Sequence, residues 1–256
     1  MTDAWLTERY MRLPDGSFPH LGIKGDGDVA AVVLLSGSPD RVELMAGMLE
    51  GTVRVGDRRG YAVYSGTHGG KRLSVATSGV GSPSLAIAVE ELGACGAGVF
   101  IRVGSCAAIS ERLPVGGVAI VHGAVSDEGT SRYYAPPNYP PVASPRVVRA
   151  LEDAAAAAGH TFPIGLTRST DSFYEGERKV EIIEQWHRLG VLAFEMETSA
   201  LFTVTAALGW EAGSIICTGS NLLTGEATYQ GQCLDAYKAG QDAMVRVALD
   251  AAGRLA

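Results

Sequence analysis

The segment AVVLLSGSPDRVELMAGML, residues 31–49, contains the features that decide the fold of this 256-residue chain. Its aliphatic and β-branched beginning predicts a buried strand over residues 30–35, and the following SGS (36–38) predicts a tight turn. Pro39 and the helical spacing of the next apolar residues predict a helix over residues 40–49. A strand that leads through a glycine turn into a helix is the repeating unit of α/β proteins.

The same alternation recurs along the rest of the chain. Further strands are predicted over residues 62–65, 72–77, 99–103, 118–125, 192–194 and 214–217, and helices over residues 84–92, 145–159, 177–189, 197–208 and 228–255. This order predicts an α/β fold of three layers, α/β/α, with a mixed, mostly parallel central sheet. We expect a single domain over residues 1–256, with residues 1–28 as an N-terminal arm. The proline-rich segment 127–145 is predicted to be a surface loop, with an interdomain linker as the alternative.

Composition excludes several classes of partner. The 28 acidic and 21 basic residues give a net charge of −7, so we expect no nucleic-acid partner, because such binding requires concentrated Lys and Arg. No apolar run is long enough to span a membrane and no signal peptide is visible, which favours a cytoplasmic protein without a membrane partner. The four cysteines are widely spaced, and Cys95, Cys106 and Cys217 are predicted to be small core residues.

Glycine turns at predicted strand ends carry residues that suit an anion. Gly37 and Arg41 follow the first strand, GVGSPS (79–84) follows another, and Arg102 and Ser105 flank a third turn. Backbone N–H groups, helix N-termini and arginine forks all bind phosphate oxygens, so together these turns predict an oxyanion pocket. Arg102 carries the most weight, because a charge inside an apolar strand requires an anionic or carboxylate partner.

A second polar feature is the sequence FEME, residues 194–197, where two carboxylates lie between a predicted strand and a predicted helix. Acidic residues at a helix N-terminus can be simple caps. A carboxylate can also accept two hydrogen bonds from a vicinal diol, which is how α/β proteins commonly hold a ribose. The residues alone leave both interpretations open, with ribose binding slightly favoured.

Eight segments of the chain resemble the nucleoside phosphorylase family of the uridine and hexameric purine type. The matching segments are PHLGI (19–23), SGSPDRV (36–42), TSGVGSPS (77–84), VEEL (89–92), IRVGSC (101–106), DEGTS (127–131), DSFY (171–174) and EME (195–197). The resemblance implies phosphorolysis, in which inorganic phosphate attacks the anomeric carbon of a nucleoside and releases the free base and (deoxy)ribose 1-phosphate. It implies no metal and no other cofactor, with phosphate as the co-substrate.

The resemblance also assigns roles to individual residues and implies a homo-oligomer. Phosphate would be held by Gly37, Arg41, Arg102 and Ser105 of one subunit and by Arg59 of a neighbour. The ribose would be held by Met196 and Glu197, together with His20 of the neighbour, and Phe173 would line the base pocket. Because His20 and Arg59 complete a site only across an interface, a hexamer built as a trimer of dimers is expected. Arg102, Glu197 and Asn221 are the candidate catalytic residues.

Base preference depends on two departures within the family pattern. Asn221 stands where the purine branch has an aspartate that protonates the base, and an amide does not donate a proton in that way. Glu177, Arg178 and Lys179 stand where the uridine branch has a glutamine and an arginine that contact uracil. Glu177 could accept the N3–H while Arg178 or Lys179 faces a carbonyl oxygen. Uridine is therefore favoured, and a 6-oxopurine nucleoside is the alternative.

Two further departures leave other functions open. Ser38 stands where the family usually has aspartate, and Ala107 stands where a glycine usually lets the base approach. Together with Asn221, they motivate the alternative of a non-catalytic nucleoside-binding protein. A hydrolase that uses water on the same bond is disfavoured, because it has no use for an arginine-lined anion site.

Overall fold

The computed structural model describes residues 9–25 and 27–256, so the first eight residues of the predicted arm lie outside the described part. Within it, the strands are β1 Val32–Ser36, β2 Glu50–Arg58, β3 Tyr61–His68, β4 Lys71–Thr77, β5 Val99–Ala108, β6 Val118–Asp127, β7 Ile164–Thr170, β8 Val191–Glu195 and β9 Glu211–Asn221. The α-helices are α1 Pro39–Gly47, α2 Ser82–Ala94, α3 Pro145–Ala157, α4 Lys179–Arg188, α5 Thr198–Ala207 and α6 Leu234–Leu255. Single 3-10 turns are found at Thr130–Tyr133, Gly176–Arg178 and Thr228–Gln230.

The strands form one mixed sheet in the order β2-β3-β4-β1-β5-β8-β7-β6-β9. Pairing is parallel for β1–β4, β1–β5, β5–β9, β6–β7 and β7–β8, and antiparallel for β2–β3, β3–β4, β5–β8 and β6–β9. The prediction of a mixed, mainly parallel sheet is confirmed. Because β9 also pairs with β5, the strands β5, β8, β7, β6 and β9 close into a ring, which the sequence pattern did not predict.

Strand β5 changes neighbours along one of its edges, and this opens the sheet. Its first half pairs with β1 through residues 99–102, and its end pairs with β8 through residues 107 and 108. Between them, residues 103–106 pair in the described sheet only with β9 on the other edge. Ligands of α/β proteins bind where neighbouring strands diverge in this way, so the opening beside β5 is the expected place for a site.

Alternate residues of β1 show why the fold has three layers. Val33 and Leu35 are fully buried in a core cluster shared with α2 and α5, whereas Val32 and Leu34 belong to a second cluster shared with α1, α3 and α6. Both faces of the strand are thus covered, and burial of each such side chain contributes about 1.5–3 kcal/mol. This confirms the predicted α/β/α arrangement. Helix α4 packs on a smaller third cluster around Phe194.

The structure differs from the predicted elements at strands β2 and β7. Strand β2 is an exposed antiparallel edge rich in Gly and charged residues, and β7 carries Thr, Arg and Ser, so neither shows the apolar run expected of a strand in an α/β sheet. The helix predicted from residue 228 begins at Leu234, after a 3-10 turn. In the described part of the arm, Phe18, Leu21 and Ile23 are buried in the first core cluster.

Within residues 9–25 and 27–256, no helix combines the length and the apolar character that crossing a lipid bilayer would require.

Helix α6 contacts the turn before β6 at the level of the backbone. A Cβ added at Gly240 would lie 1.9 Å from the carbonyl oxygen of Gly116, a backbone atom that cannot rotate away. We therefore expect Gly240→Ala to lower the free energy of unfolding by about 1–3 kcal/mol through overpacking, although alanine is otherwise favoured in helices. Urea denaturation measures the change.

Gly253 provides the matched control, because it lies in the same helix with open space where its Cβ would be. Gly253→Ala should raise the free energy of unfolding by up to about 1 kcal/mol. Equal stabilisation by both substitutions would show that the close approach at Gly240 is absent.

Candidate active site

Arg102 lies at the opening beside β5 and is buried, with 3% of its surface exposed. Its Nε donates to Oε2 of Glu195 at 3.1 Å, and one terminal nitrogen contacts Oε2 of Glu197 at 2.6 Å. Burial lowers the pKa of Arg102, but the carboxylates of Glu197 and Glu195 outweigh this effect and raise the pKa above its usual value. The guanidinium therefore stays charged. Glu195 and Glu197 are therefore the carboxylate partners that a charge within an apolar strand requires.

Glu195 is the structural member of the acidic pair. Its Oε2 accepts the backbone N–H groups of Glu197 at 2.9 Å and Thr198 at 2.8 Å, and the Thr198 hydroxyl at 2.7 Å. Its other oxygen accepts the Ser169 hydroxyl from β7. Glu195 thus caps the N-terminus of α5 while it holds Arg102, so the capping interpretation of FEME applies to its first carboxylate.

Glu197, the second carboxylate of the pair, is buried and contacts a different turn. Its Oε1 accepts the backbone N–H of Gly81 at 2.6 Å, which ties the site to the turn before α2. Burial and the nearby Glu195 carboxylate raise the pKa of Glu197 above its ordinary value, against the opposing effect of Arg102. Met196 is half-buried between the two glutamates, and its carbonyl accepts the Ser82 hydroxyl at 2.8 Å.

Arg41 is held by four neighbours at the other side of the opening. Its N–H groups donate to the Ser36 hydroxyl at 3.1 Å, to the Val103 carbonyl at 3.3 Å, to the Tyr237 hydroxyl at 3.0 Å and twice to Gln241. The guanidinium is thus fixed between β1, β5 and α6. Tyr237 and Gln241 were not singled out in the sequence, because their place in a long helix gives no local signal.

Gly37 and Ser105 complete the group of predicted phosphate residues in one chain. A Cβ at Gly37 would lie 3.0 Å from the Gly79 carbonyl oxygen, so two glycine turns approach each other there. Ser105 lies in the part of β5 that pairs on one edge only, and it is exposed. Gly37 and Arg41 follow β1, and Arg102 and Ser105 lie in the adjacent strand β5, so the structure brings the four residues to the same part of the sheet.

Arg59 lies apart from this group, in the turn between β2 and β3. Its φ of +53° and that of +85° at Gly60 match the two central positions of a type I′ hairpin turn. The side chain is exposed and forms no hydrogen bond or ion pair with any described residue. Arg59 consequently presents its charge to the outside of the chain.

His20 lies in the described part of the arm, beside helix α2. Its Nδ1 is 2.6 Å from Oε1 of Glu91, whose carboxylate also accepts the backbone N–H groups of His20 and Leu21. The ring is one-third exposed and borders a groove of about 1160 Å³ that also includes Tyr133 and Tyr134. Glu91 was missed as a functional residue, although a carboxylate on the buried face of a helix is a signal.

The residues predicted to bind the base lie on an exposed aromatic surface. Phe173 is 61% exposed, and its ring meets Tyr174 edge-on at 5.0 Å and Tyr229 at 6.4 Å. Tyr229, from the turn before α6, was not predicted. Glu177, Arg178 and Lys179 are exposed at the beginning of α4, where Arg178 pairs with Glu181.

Asn221 is buried at the end of β9. It is 1% exposed, its amide nitrogen donates to the carbonyls of Ser110 and Leu113, and its oxygen accepts the N–H groups of Leu223 and Thr224. An amide has two donor hydrogens and two acceptor lone pairs, so its hydrogen-bonding capacity is used within these loops. In the structure Asn221 holds the loop after β9, and its catalytic role at the base stays a prediction.

Three of the four cysteines are core residues. Cys95, Cys106 and Cys217 are buried as predicted, and burial raises the pKa of Cys106 and Cys217 to about 12, so neither is a thiolate at neutral pH. Among residues 9–25 and 27–256, no three His, Cys, Asp or Glu side chains are grouped so that they could hold a metal ion.

The chain is similar to nucleoside phosphorylases in both sequence and fold. A family model described as the phosphorylase superfamily matches residues 31–251. Uridine phosphorylase of Thermococcus kodakarensis is 35% identical over 91% of this chain and 87% of its own length. Guanosine phosphorylase of Halorubrum lacusprofundi is 33% identical over 81% of this chain and 85% of its own length. The crystal structure of uridine phosphorylase from Vibrio fischeri superposes with a TM-score of 0.85 at 29% identity, covering 95% of this chain and 98% of that chain.

The structural role of Asn221 in the loop after β9 can be tested by the substitution Asn221→Asp. A carboxylate there would face the Ser110 and Leu113 carbonyl oxygens, so the free energy of unfolding should fall by about 2–5 kcal/mol. Burial would raise the pKa of the new carboxyl, so the folded state would retain its proton and the loss should be larger at about pH 8 than at about pH 5. Urea denaturation at both pH values measures it. An unchanged stability with altered base preference would contradict this structural role and support the predicted role of Asn221 at the base.

Proposed function

The chain belongs to the phosphorylase superfamily, and we propose that it catalyses phosphorolysis of uridine to uracil and ribose 1-phosphate. The observation that carries this proposal is the buried Arg102 between Glu195 and Glu197 at the opening of the sheet. It places a fixed positive charge beside a carboxylate suited to a ribose diol. The resemblance of the sequence to uridine phosphorylases along most of its length supports the substrate.

The proposed reaction uses each charge at this opening. Phosphate lies under the sugar on Arg102, Arg41, the Ser105 hydroxyl and the Gly37 turn, while Glu197 accepts hydrogen bonds from the ribose hydroxyls. A phosphate oxygen bonds to the anomeric carbon as the bond to the base breaks. The base leaves with that electron pair and takes up the proton that the hydrogen phosphate loses. Positive charge that develops on the sugar is stabilised by the phosphate dianion, and negative charge on the base by hydrogen-bond donors. Fixing both reactants in line supplies much of the remaining rate gain.

Base recognition is assigned to the aromatic surface and the beginning of α4. Phe173 would contact the base face-to-face or edge-to-face. Glu177 would accept the uracil N3–H, and Arg178 or Lys179 would donate to a carbonyl oxygen. A 6-oxopurine presents the same adjacent N–H and carbonyl, so a 6-oxopurine nucleoside is the second candidate. The similarity to a guanosine phosphorylase favours including it.

Inorganic phosphate is the co-substrate in this proposal, and no metal or organic cofactor takes part. The reaction neither transfers electrons nor requires an activated water. Every charge that it develops can be met by the arginines and carboxylates described above.

The proposed active form is a homo-oligomer, a hexamer assembled as a trimer of dimers. His20 and Arg59 support it, because both face the outside of the chain and neither contacts Arg41 or Arg102 among the described contacts. The groove beside His20 is lined by aromatic residues, with Tyr133 90% exposed, as expected for a surface that a second copy covers. Each subunit would then supply His20 and Arg59 to its neighbour's site.

A single assay separates the candidate functions. Uridine, thymidine, inosine, guanosine and adenosine are incubated with and without phosphate, and free base and the sugar phosphate are quantified, the latter by phosphorus NMR. We expect uracil and ribose 1-phosphate in equal amounts from uridine, and no base without phosphate. Base release without phosphate would indicate a hydrolase, and calorimetric binding without turnover would indicate a nucleoside-binding protein.

Arg59 offers a test that leaves the fold intact. Asparagine tolerates the left-handed backbone of the turn, so Arg59→Asn should leave the thermal midpoint unchanged while it removes the charge. The KM for phosphate should rise about tenfold or more, because a charged hydrogen bond is worth at least about 1.5 kcal/mol. Steady-state kinetics with varied phosphate measure it.

Arg54→Ala, at an exposed arginine of the preceding strand β2, is the control and should leave the KM for phosphate unchanged. If Arg59→Asn also left it unchanged, Arg59 would have no part in phosphate binding.

A further inference from the structure

Arg168 is a second buried arginine that the motifs do not include. It lies in β7, is 5% exposed, and stands opposite Phe194 in β8. Its strand neighbours Thr167 and Ser169 point to the other face, where both reach Glu195. Arg168 therefore lies one strand position from the residues that support the phosphate site, but on the side that carries α4.

The guanidinium of Arg168 is enclosed by two carboxylates and two rings. Its Nε and one terminal nitrogen donate to Oδ2 of Asp127 at 2.9 and 2.5 Å, and the other terminal nitrogen donates to Glu175. The guanidinium carbon is 5.0 Å from the centre of the Phe194 ring and 6.0 Å from that of Trp186. Since a buried guanidinium is stable only when it is paired, these contacts fix its position.

Glu175 connects Arg168 to the segment that carries the aromatic base surface. Its side chain is 10% exposed, although Phe173 and Glu177, two positions away on either side, are both exposed. At the start of the segment, Asp171 accepts the Gly129 backbone N–H at 2.9 Å. Phe173 thus lies midway between two carboxylate anchors, and its ring partners Tyr174 and Tyr229 are themselves exposed.

We propose that Arg168 is a positioning residue for base recognition, which holds Phe173 and Glu177 in place through its ion pair with Glu175. This inference rests on the proposed function and extends it. Arg168 itself does not contact the nucleoside. Loss of the pair frees the segment between Asp171 and α4, so nucleoside binding weakens while the phosphate residues on β1 and β5 keep their positions.

The test uses the full-length protein and begins with Glu175→Ala, which removes the anchor from a surface segment without a change in the core. The KM for uridine should rise about tenfold, because the pair is a charged hydrogen bond, and the KM for phosphate should change less than about twofold. Arg168→Ala should give the same rise in the KM for uridine. The double variant Glu175→Ala/Arg168→Ala should raise this KM no further than the single variants do, since both substitutions act through one contact. Arg168→Lys should recover part of the affinity.

Glu211→Ala is the matched control. Glu211 forms an ion pair with Arg146 at the opposite end of β9 from the site, so its loss should leave both KM values and the thermal midpoint unchanged. Calorimetric titration of uridine without phosphate is run on every variant, which gives a readout independent of turnover.

The outcomes separate the two proposals. Suppose that the wild type turns over uridine, and that Glu175→Ala has the same KM and the same dissociation constant for uridine as the wild type. This result would overturn the positioning role and leave the proposed function intact. Equal rises in the KM for uridine and for phosphate would also overturn it, since they indicate a general structural loss. If the wild type neither binds nor converts uridine or a 6-oxopurine nucleoside, the proposed function fails, and the positioning role fails with it.

Discussion

The interaction on which the structure depends is the burial of Arg102 between Glu195 and Glu197. A guanidinium at this depth is stable only with carboxylates in contact, and removal of one member of such a group costs about 3–5 kcal/mol. The same carboxylates cap α5 and hold the Gly81 turn before α2. One charged cluster thereby joins β5, β8 and two helices at the place where β5 changes neighbours.

The cluster has one positive and two negative charges, which bears directly on the proposed reaction. A phosphate dianion placed beside it adds to an existing excess of negative charge, so Arg102 alone does not suffice to bind it. Arg41, held rigidly by Tyr237 and Gln241, supplies a second positive charge from the same chain. In the proposed oligomer, Arg59 supplies the third. Charge balance therefore supports the proposed neighbour, as does the outward position of Arg59.

Local signals explain which parts were predictable. Strand, glycine turn and helix follow one another within about 20 residues at residues 31–49, so the layers and the grouping of Gly37 and Arg41 beside β5 could be predicted. The closure of β9 onto β5 and the hidden strand β7 depend on pairing between distant segments, which a local pattern does not contain. For the same reason Glu91, Tyr229 and Arg168 were missed. The hydrogen bonds of Asn221 within its loops could not be predicted either, because a motif position shows which residue is present but not which hydrogen bonds it makes.

The most direct test is a crystal structure of the protein with phosphate and a nucleoside analogue that resists cleavage. We predict phosphate oxygens within hydrogen-bond distance of the Arg102 guanidinium, the analogue's ribose hydroxyls on Glu197, and Arg59 of a neighbouring subunit completing the phosphate site. A structure in which phosphate binds elsewhere, while Arg102 remains paired with both glutamates and the ribose lies away from Glu197, would contradict the account.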